Sequence, residues 1–152
     1  MRKRGTSAPI DIAGSEGTLS IKRIDHVAIV VDSLEAALTV YRDTLGMSFS
    51  HVETIPEQGV RVGFLPAGDS EIELLEPLDP DSGIGKYLSK RGEGLHHICL
   101  EVTDIEATLD DLIAKEAQLI DRTPKTGAHG RIAFVHPKGA HGVLIELIER
   151  QA

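Results

Sequence analysis

Two segments rich in apolar and β-branched residues, IKRIDHVAIVV (21–31) and GLHHICLEV (94–102), give way to the polar positions Asp32-Ser33 and Asp104. That pattern predicts a strand passing into a capped helix. After the first, Leu34, Ala37, Leu38, Tyr41 and Leu45 recur at helical spacing, and Gly46 supplies a left-handed stop. After the second, Ile105, Leu109, Leu112, Ile113 and Ala117 draw the equivalent stripe. Three short strand-like runs follow each helix, near 47–53, 60–67 and 71–77, then near 118–122, 131–136 and 142–149. The chain thus reads as two successive βαβββ units.

The units also match residue by residue. DHVAIVVDSLEAAL (25–38) lies on HHICLEVTDIEATL (96–109) at an offset of 71, VGFLP (62–66) on IAFVH (132–136) at 70, and IEL (72–74) on IEL (145–147) at 73. Three matches in order, joined by one element pattern, mark an internal duplication. Half a chain of about 60 residues buries too little surface to stand alone. The expected class is therefore α+β, with two tandem βαβββ modules forming one curved mixed sheet around a cleft and helices outside. Module one spans 21–78, a Pro- and Gly-rich linker with a short helix near Ile84–Leu88 spans 79–94, and module two spans 95–149. Residues 1–20 carry no period and read as a flexible leader before a single domain over 21–152.

Composition narrows the function. The net charge is -8, from 16 Lys and Arg against 24 Asp and Glu, which disfavours nucleic acid and anionic membranes as partners and favours a small molecule. No apolar run approaches the roughly 20 residues of a membrane helix. The first 20 residues lack the apolar core of a secretory signal. A soluble, intracellular protein is expected. Cys99, the single cysteine, has no internal partner for a disulfide and reads as a buried thiol.

The duplication places His26 on His97 and Glu73 on Glu146. One His and one Glu per copy, related by a two-fold axis, converge as two His and two Glu. Glu73 lies between Ile72 and Leu74, and Glu146 between Ile145 and Leu147, where unpaired charge costs several kcal/mol. A shared divalent ion would compensate both; solvent exposure of the two glutamates is the alternative. The set suits Co²⁺, Mn²⁺, Ni²⁺, Zn²⁺ or Fe²⁺ and leaves positions open on an octahedral ion. Alternation puts small residues, Ala28 and Cys99, next on the His-bearing face. His51, His96, His129, His136 and His141 have no histidine counterpart, and alternation sends His96 to the face opposite His97.

The stretches DHVAIVV, YRDTLGM, PEQGVRVGFL, EIELLEPLDPDS, KRGEGLHHICLEV and GAHGRIAFVHPKGAHGVLIEL cover about residues 22–149. They resemble the methylmalonyl-coenzyme A epimerases of the vicinal oxygen chelate, or glyoxalase-like, superfamily. The resemblance implies a vicinal oxygen chelate domain that interconverts (R)- and (S)-methylmalonyl-CoA by α-proton abstraction through a metal-chelated enolate. It implies a homodimer with a divalent ion such as cobalt, and the ligands His26, Glu73, His97 and Glu146. It also implies residence in the cytoplasm, or in the mitochondrial matrix of a eukaryote.

Some epimerases resemble EQGVxE and place a catalytic glutamate two residues after the valine, where this chain has Val62. Glu146 and Glu73 are then the expected acid–base pair, with Gln58, Lys125, Arg131 and Lys138 as substrate contacts. A glyoxalase I-like isomerase of glutathione hemithioacetals and a non-catalytic binding protein of the same fold are the competing readings.

Overall fold

A computed structural model describes residues 8–11 and 21–151; apart from 8–11, the leader expected over 1–20 lies outside the described residues. Strand β1 (Ile21–Val30) sets Ala28 and Val30 on one face, while Ile29 and Val31 pack on the other. Helix α1 (Leu34–Leu38) starts at Ser33, whose side chain accepts the Ala36 amide at 3.2 Å. It continues as a π-helical segment, Thr39–Thr44. The wider turn, closed by the Leu45 amide on the Val40 carbonyl at 2.8 Å, breaks the 3.6-residue stripe. Leu34 and Leu38 are buried, but Leu45 is 62% exposed.

Strands β2 (Val52–Ile55), β3 (Val60–Ala67) and β4 (Ser70–Pro77) complete module one. β2 begins later than the run near 47–53 suggests, because the Met47 amide still bonds back to the Tyr41 carbonyl at 3.1 Å. Helix α2 (Gly83–Arg91), capped by Ser82, is longer than the expected Ile84–Leu88. Module two has β5 (Gly94–Val102), α3 (Ile105–Ala114, capped by Asp104), β6 (Lys125–Thr126), β7 (Gly130–Val135) and β8 (Ile145–Arg150).

The run at 118–122 is not a strand. Only Leu119 bridges to Val135 there, and an Asp121 carboxylate oxygen takes the Phe134 amide at 2.8 Å, a donor that a backbone ladder would have used. β8 starts at 145 and not 142, since His141 (φ 54°) and Gly142 (φ 93°) hold the chain in a left-handed turn.

All eight strands form one sheet in the order β2-β3-β4-β1-β5-β8-β7-β6. β1 is parallel to β4 and β5 to β8; the central β1–β5 seam is antiparallel and relates the modules. The sheet curls into a half-barrel. On its convex side, Leu34, Leu38, Leu65 and Leu74 pack α1, and Ile105, Leu109, Ala133 and Leu147 pack α3. On the concave side, Val60, Val62, Phe64 and Leu75 meet Ile84, Tyr87 and Leu88 of α2, while Cys99, Ile132 and Ile148 form the second half. Among the described residues, no helix is long and apolar enough to cross a membrane.

The seam carries three register shifts, two of them beside the cleft. Between the pairs Ile24–Leu100 and His26–Cys99, β1 advances two residues and β5 one, so Asp25 is the extra residue. Between Ala28–His97 and Ile29–Leu95 the count reverses, and His96 is the extra residue. A bulge re-aims its side chain. Both Asp25 and His96 consequently line the concave cleft beside the histidines that follow them.

Candidate metal centre

The four adjacent central strands each supply one residue to the cleft floor: Glu73 from β4, His26 from β1, His97 from β5 and Glu146 from β8. His26 Nε2 lies 3.2 Å from His97 Nε2. Glu146 Oε2 lies 2.8 Å from His97 Nε2 and 3.5 Å from His26 Nε2. These three side chains are buried and surround one point. The fourth expected ligand, Glu73, meets the other side of the ring, its Oε2 at 2.8 Å from His26 Nδ1. The structure therefore gathers His26, His97 and Glu146, with Glu73 against the opposite edge of the His26 ring.

Asp25 shares that ring nitrogen, with Oδ1 at 2.8 Å. Arg150 donates to the same carboxylate through Nε and, at 2.9 Å, through Nη2. His96 Nδ1 lies 2.7 Å from His97 Nδ1, so His96 shares the cleft face with His97 and does not take the opposite one.

Burial opposes charge on every one of these groups, and hydrogen bonding decides which keep it. Glu146 would rise on burial, but bonds from His26 and His97 bring its pKa down to about 2. Asp25 is likewise held well below the carboxylate range, burial being outweighed by His26 and Arg150. Burial pulls His26 down, yet bonds to Asp25, Cys99, Glu146 and Glu73 drive it far above its ordinary value. His96 falls to about 4 through burial and the neighbouring His97, and burial pushes the Cys99 thiol up to about 12.

The donor set fits a divalent ion. Bonds of about 2.1 Å at right angles place neighbouring ligand atoms about 3 Å apart, as these atoms are. The carboxylates of Glu146 and Glu73 close to the His26 ring nitrogens make the spot favour positive charge, and metal binding there would compete with protonation of the ring.

Above the cluster lies a cleft of about 960 Å³. Ile55, Val60, Val62 and Leu75 wall it on the module-one side, and Ile132, Phe134 and Ile148 on the other. Gln58 and Lys125 line it as expected, with Lys125 Nζ 5.1 Å from the Phe134 ring centroid.

Arg131 does not reach the cleft. Alternation in β7 sends Ile132 and Phe134 inward and Arg131 to the helix side, where it bonds Glu106 at 2.8 Å and Glu149 at 2.9 Å. Module one repeats this brace: Arg61 bonds Glu35 at 2.9 Å and Glu76 at 3.0 Å. Arg131 is thus a duplicated tie between helix and sheet. Lys138, in the 3-10 turn Pro137–Gly139, is exposed and lies outside the cleft lining.

Sequence reasoning missed Asp25, His96, His129 and Arg150, all of which line the cleft. The duplication superposes Asp25 on His96, each preceding a ligand histidine, and that was the available signal. His129 Nε2 reaches Glu53 at 3.1 Å, joining the β6–β7 turn to β2. Gly130 permits this turn, because a side chain there would run into the Glu149 carbonyl.

A duplicated half-barrel with a His and Glu cluster on its floor defines the class. The sequence pattern of the Glyoxalase/Bleomycin resistance protein/Dioxygenase superfamily matches residues 25–135. The mitochondrial methylmalonyl-CoA epimerase of Homo sapiens is 43% identical over 150 residues, covering 97% of this chain and 84% of the relative. The ethylmalonyl-CoA/methylmalonyl-CoA epimerase of Cereibacter sphaeroides is 45% identical over 130 residues, covering 84% and 97%. A solved methylmalonyl-CoA epimerase in complex with methylmalonyl-CoA and NH4+ superposes with a TM-score of 0.78 at 41% identity, covering 88% of this chain and 97% of that one. The chain belongs to this superfamily and, within it, to the methylmalonyl-CoA epimerases, a family of isomerases.

Proposed function

We propose that the protein interconverts the (R) and (S) forms of methylmalonyl-CoA by moving the proton on the carbon between thioester and carboxylate. The observation that carries this reading is the convergence of His26 Nε2, His97 Nε2 and Glu146 Oε2 on the cleft floor, with Glu73 against His26. The epimerase activity for which the relatives are named supports it. The reading includes a homodimer and a divalent ion, cobalt first, with Mn²⁺, Ni²⁺ or Zn²⁺ as alternatives.

An ion held by His26, His97, Glu146 and Glu73 would supply fixed positive charge beside the thioester and carboxylate oxygens. The remaining work falls to the chain's own groups. Glu73 and Glu146 stand on β4 and β8, on opposite sides of the seam, and so serve opposite faces of the α-carbon. One takes the proton and the other returns one. Val62 is buried wall and Glu57 is on the exposed rim; of the two module-one carboxylates beside the cluster, Asp25 is held by Arg150, and Glu73 is the one assigned to proton transfer. Lys125 and Gln58, at the cleft wall, hold the anionic and polar parts of the substrate.

Replacing Glu73 by Gln should preserve metal binding and lower kcat at least 100-fold, the scale of lost acid–base catalysis. Full activity in that variant removes Glu73 from proton transfer. A parallel assay with the hemithioacetal of glutathione tests the function itself. Turnover of that compound and not of methylmalonyl-CoA would replace the epimerase by a glyoxalase.

A further inference from the structure

We infer that Asp25, clamped by Arg150, is the positioning residue of the metal centre. It fixes the His26 ring with Nε2 toward the metal and thereby leaves Glu73 free to turn.

In an unbulged strand Asp25 would face away from His26; as the extra residue in β1 it shares the cleft face instead. Its side chain is fully buried, and its carboxylate accepts from Arg150 through two nitrogens and from Arg23 at 3.3 Å. The remaining contact is with His26 Nδ1 at 2.8 Å. A carboxylate at Nδ1 requires the hydrogen on that nitrogen, which directs the Nε2 lone pair toward His97 and Glu146 once a metal is bound.

Glu73 meets the same nitrogen at 2.8 Å. The hydrogen bond at that nitrogen goes to Asp25, while Glu73 makes a close charge contact there and can leave without stranding the donor. Asp25 is tied down by arginine, whereas among the described residues the only ion pair of Glu73 is the one with His26. Glu73 is accordingly the one that can rotate.

Module two lacks this device. The equivalent bulge residue is His96, an imidazole and not a carboxylate, 2.7 Å from His97 Nδ1. Duplication alone would have made the two histidines equivalent, so the anionic partner at Nδ1 is specific to His26. This inference rests on the metal-site reading and is independent of the substrate.

The test compares Asp25→Asn and Arg150→Gln with the parent protein, without substrate. Three properties are read: cobalt affinity by competition with a chromogenic chelator, the visible spectrum of the cobalt form, and the ring N–H resonance of His26 in the metal-free protein. Asp25→Asn should weaken cobalt binding by about 10- to 100-fold, the usual effect of removing a histidine's carboxylate partner. It should also shift the visible bands and the ring resonance. Arg150→Gln should do the same to a smaller degree, because Arg23 still holds the carboxylate.

Unchanged affinity and spectra in a folded Asp25→Asn protein would overturn the inference. Should that variant fail to fold, Arg150→Gln, with its partly exposed side chain, decides: an unshifted His26 resonance and unchanged affinity overturn it equally. A failed epimerase assay alongside the predicted cobalt effects removes the substrate reading and leaves this one standing.

Discussion

His26 and His97 occupy equivalent places in the duplicated strands, but their surroundings differ, and pH should reveal the difference. In metal-free protein the folded state raises His26 well above the ordinary value of 6.5. Its stabilisation is complete below about pH 6.5 and declines as pH rises, by up to about 1.4 kcal/mol per pH unit. The folded state lowers His96 from 6.5 to about 4, so its stabilisation is present above 6.5 and is lost as pH falls through that window. Stability without metal should therefore peak near pH 6.5, read from urea melts in chelator at about pH 5, 6.5 and 8. Cobalt should abolish the alkaline decline, because a metal displaces the His26 proton; a flat apo profile from 6.5 to 8 contradicts the assignment. At this scale duplication pointed to His26, His97, Glu73 and Glu146, which the fold places on the cleft floor, because it aligns identical residue types. Asp25 and His96 stayed hidden because alternation puts neighbours on opposite faces, and nothing local in the sequence announces a bulge.

Among the elements, the region 118–122 shows how a single side chain can replace a strand. The Asp121 carboxylate accepts the Phe134 amide at 2.8 Å. Asp121→Ala should strand that partly buried donor and cost about 1–3 kcal/mol in a urea melt, while Asp121→Asn, which retains an acceptor, costs less. Apolar pattern predicted a strand there because Leu119 and Ile120 fit one, and the competing side-chain bond is invisible to periodicity. The helix starts were more legible, since Ser33 and Asp104 bond the Ala36 and Ala107 amides as caps should. The basic residues divide by strand face. Lys125→Ala should raise KM for the acyl-CoA, whereas Arg131→Ala should lower the melting temperature and leave KM unchanged. A raised KM in Arg131→Ala would contradict its place in the brace with Glu106 and Glu149.

At the scale of the whole molecule, duplication made the fold readable. Two βαβββ units, neither able to close a core alone, pair through β1 and β5 and set their four chemical residues on adjacent strands. What the repeat could not reveal is how the two ends of the sheet approach each other. That contact, Glu53 with His129, spans 76 residues and depends on side chains with no counterpart in the other module. In the proposed reaction the apolar wall of Val60, Val62 and Leu75 would face the α-carbon and its methyl group, and the cluster below would provide the groups that move the proton. The most direct measurement is mass-spectrometric uptake of deuterium at the α-carbon of methylmalonyl-CoA in heavy water, with cobalt-loaded protein, chelator-stripped protein and a protein-free control. Rapid exchange in the cobalt-loaded sample alone, together with interconversion of the two epimers, is the predicted result. Exchange no faster than the protein-free control in a sample that has bound cobalt would contradict the account.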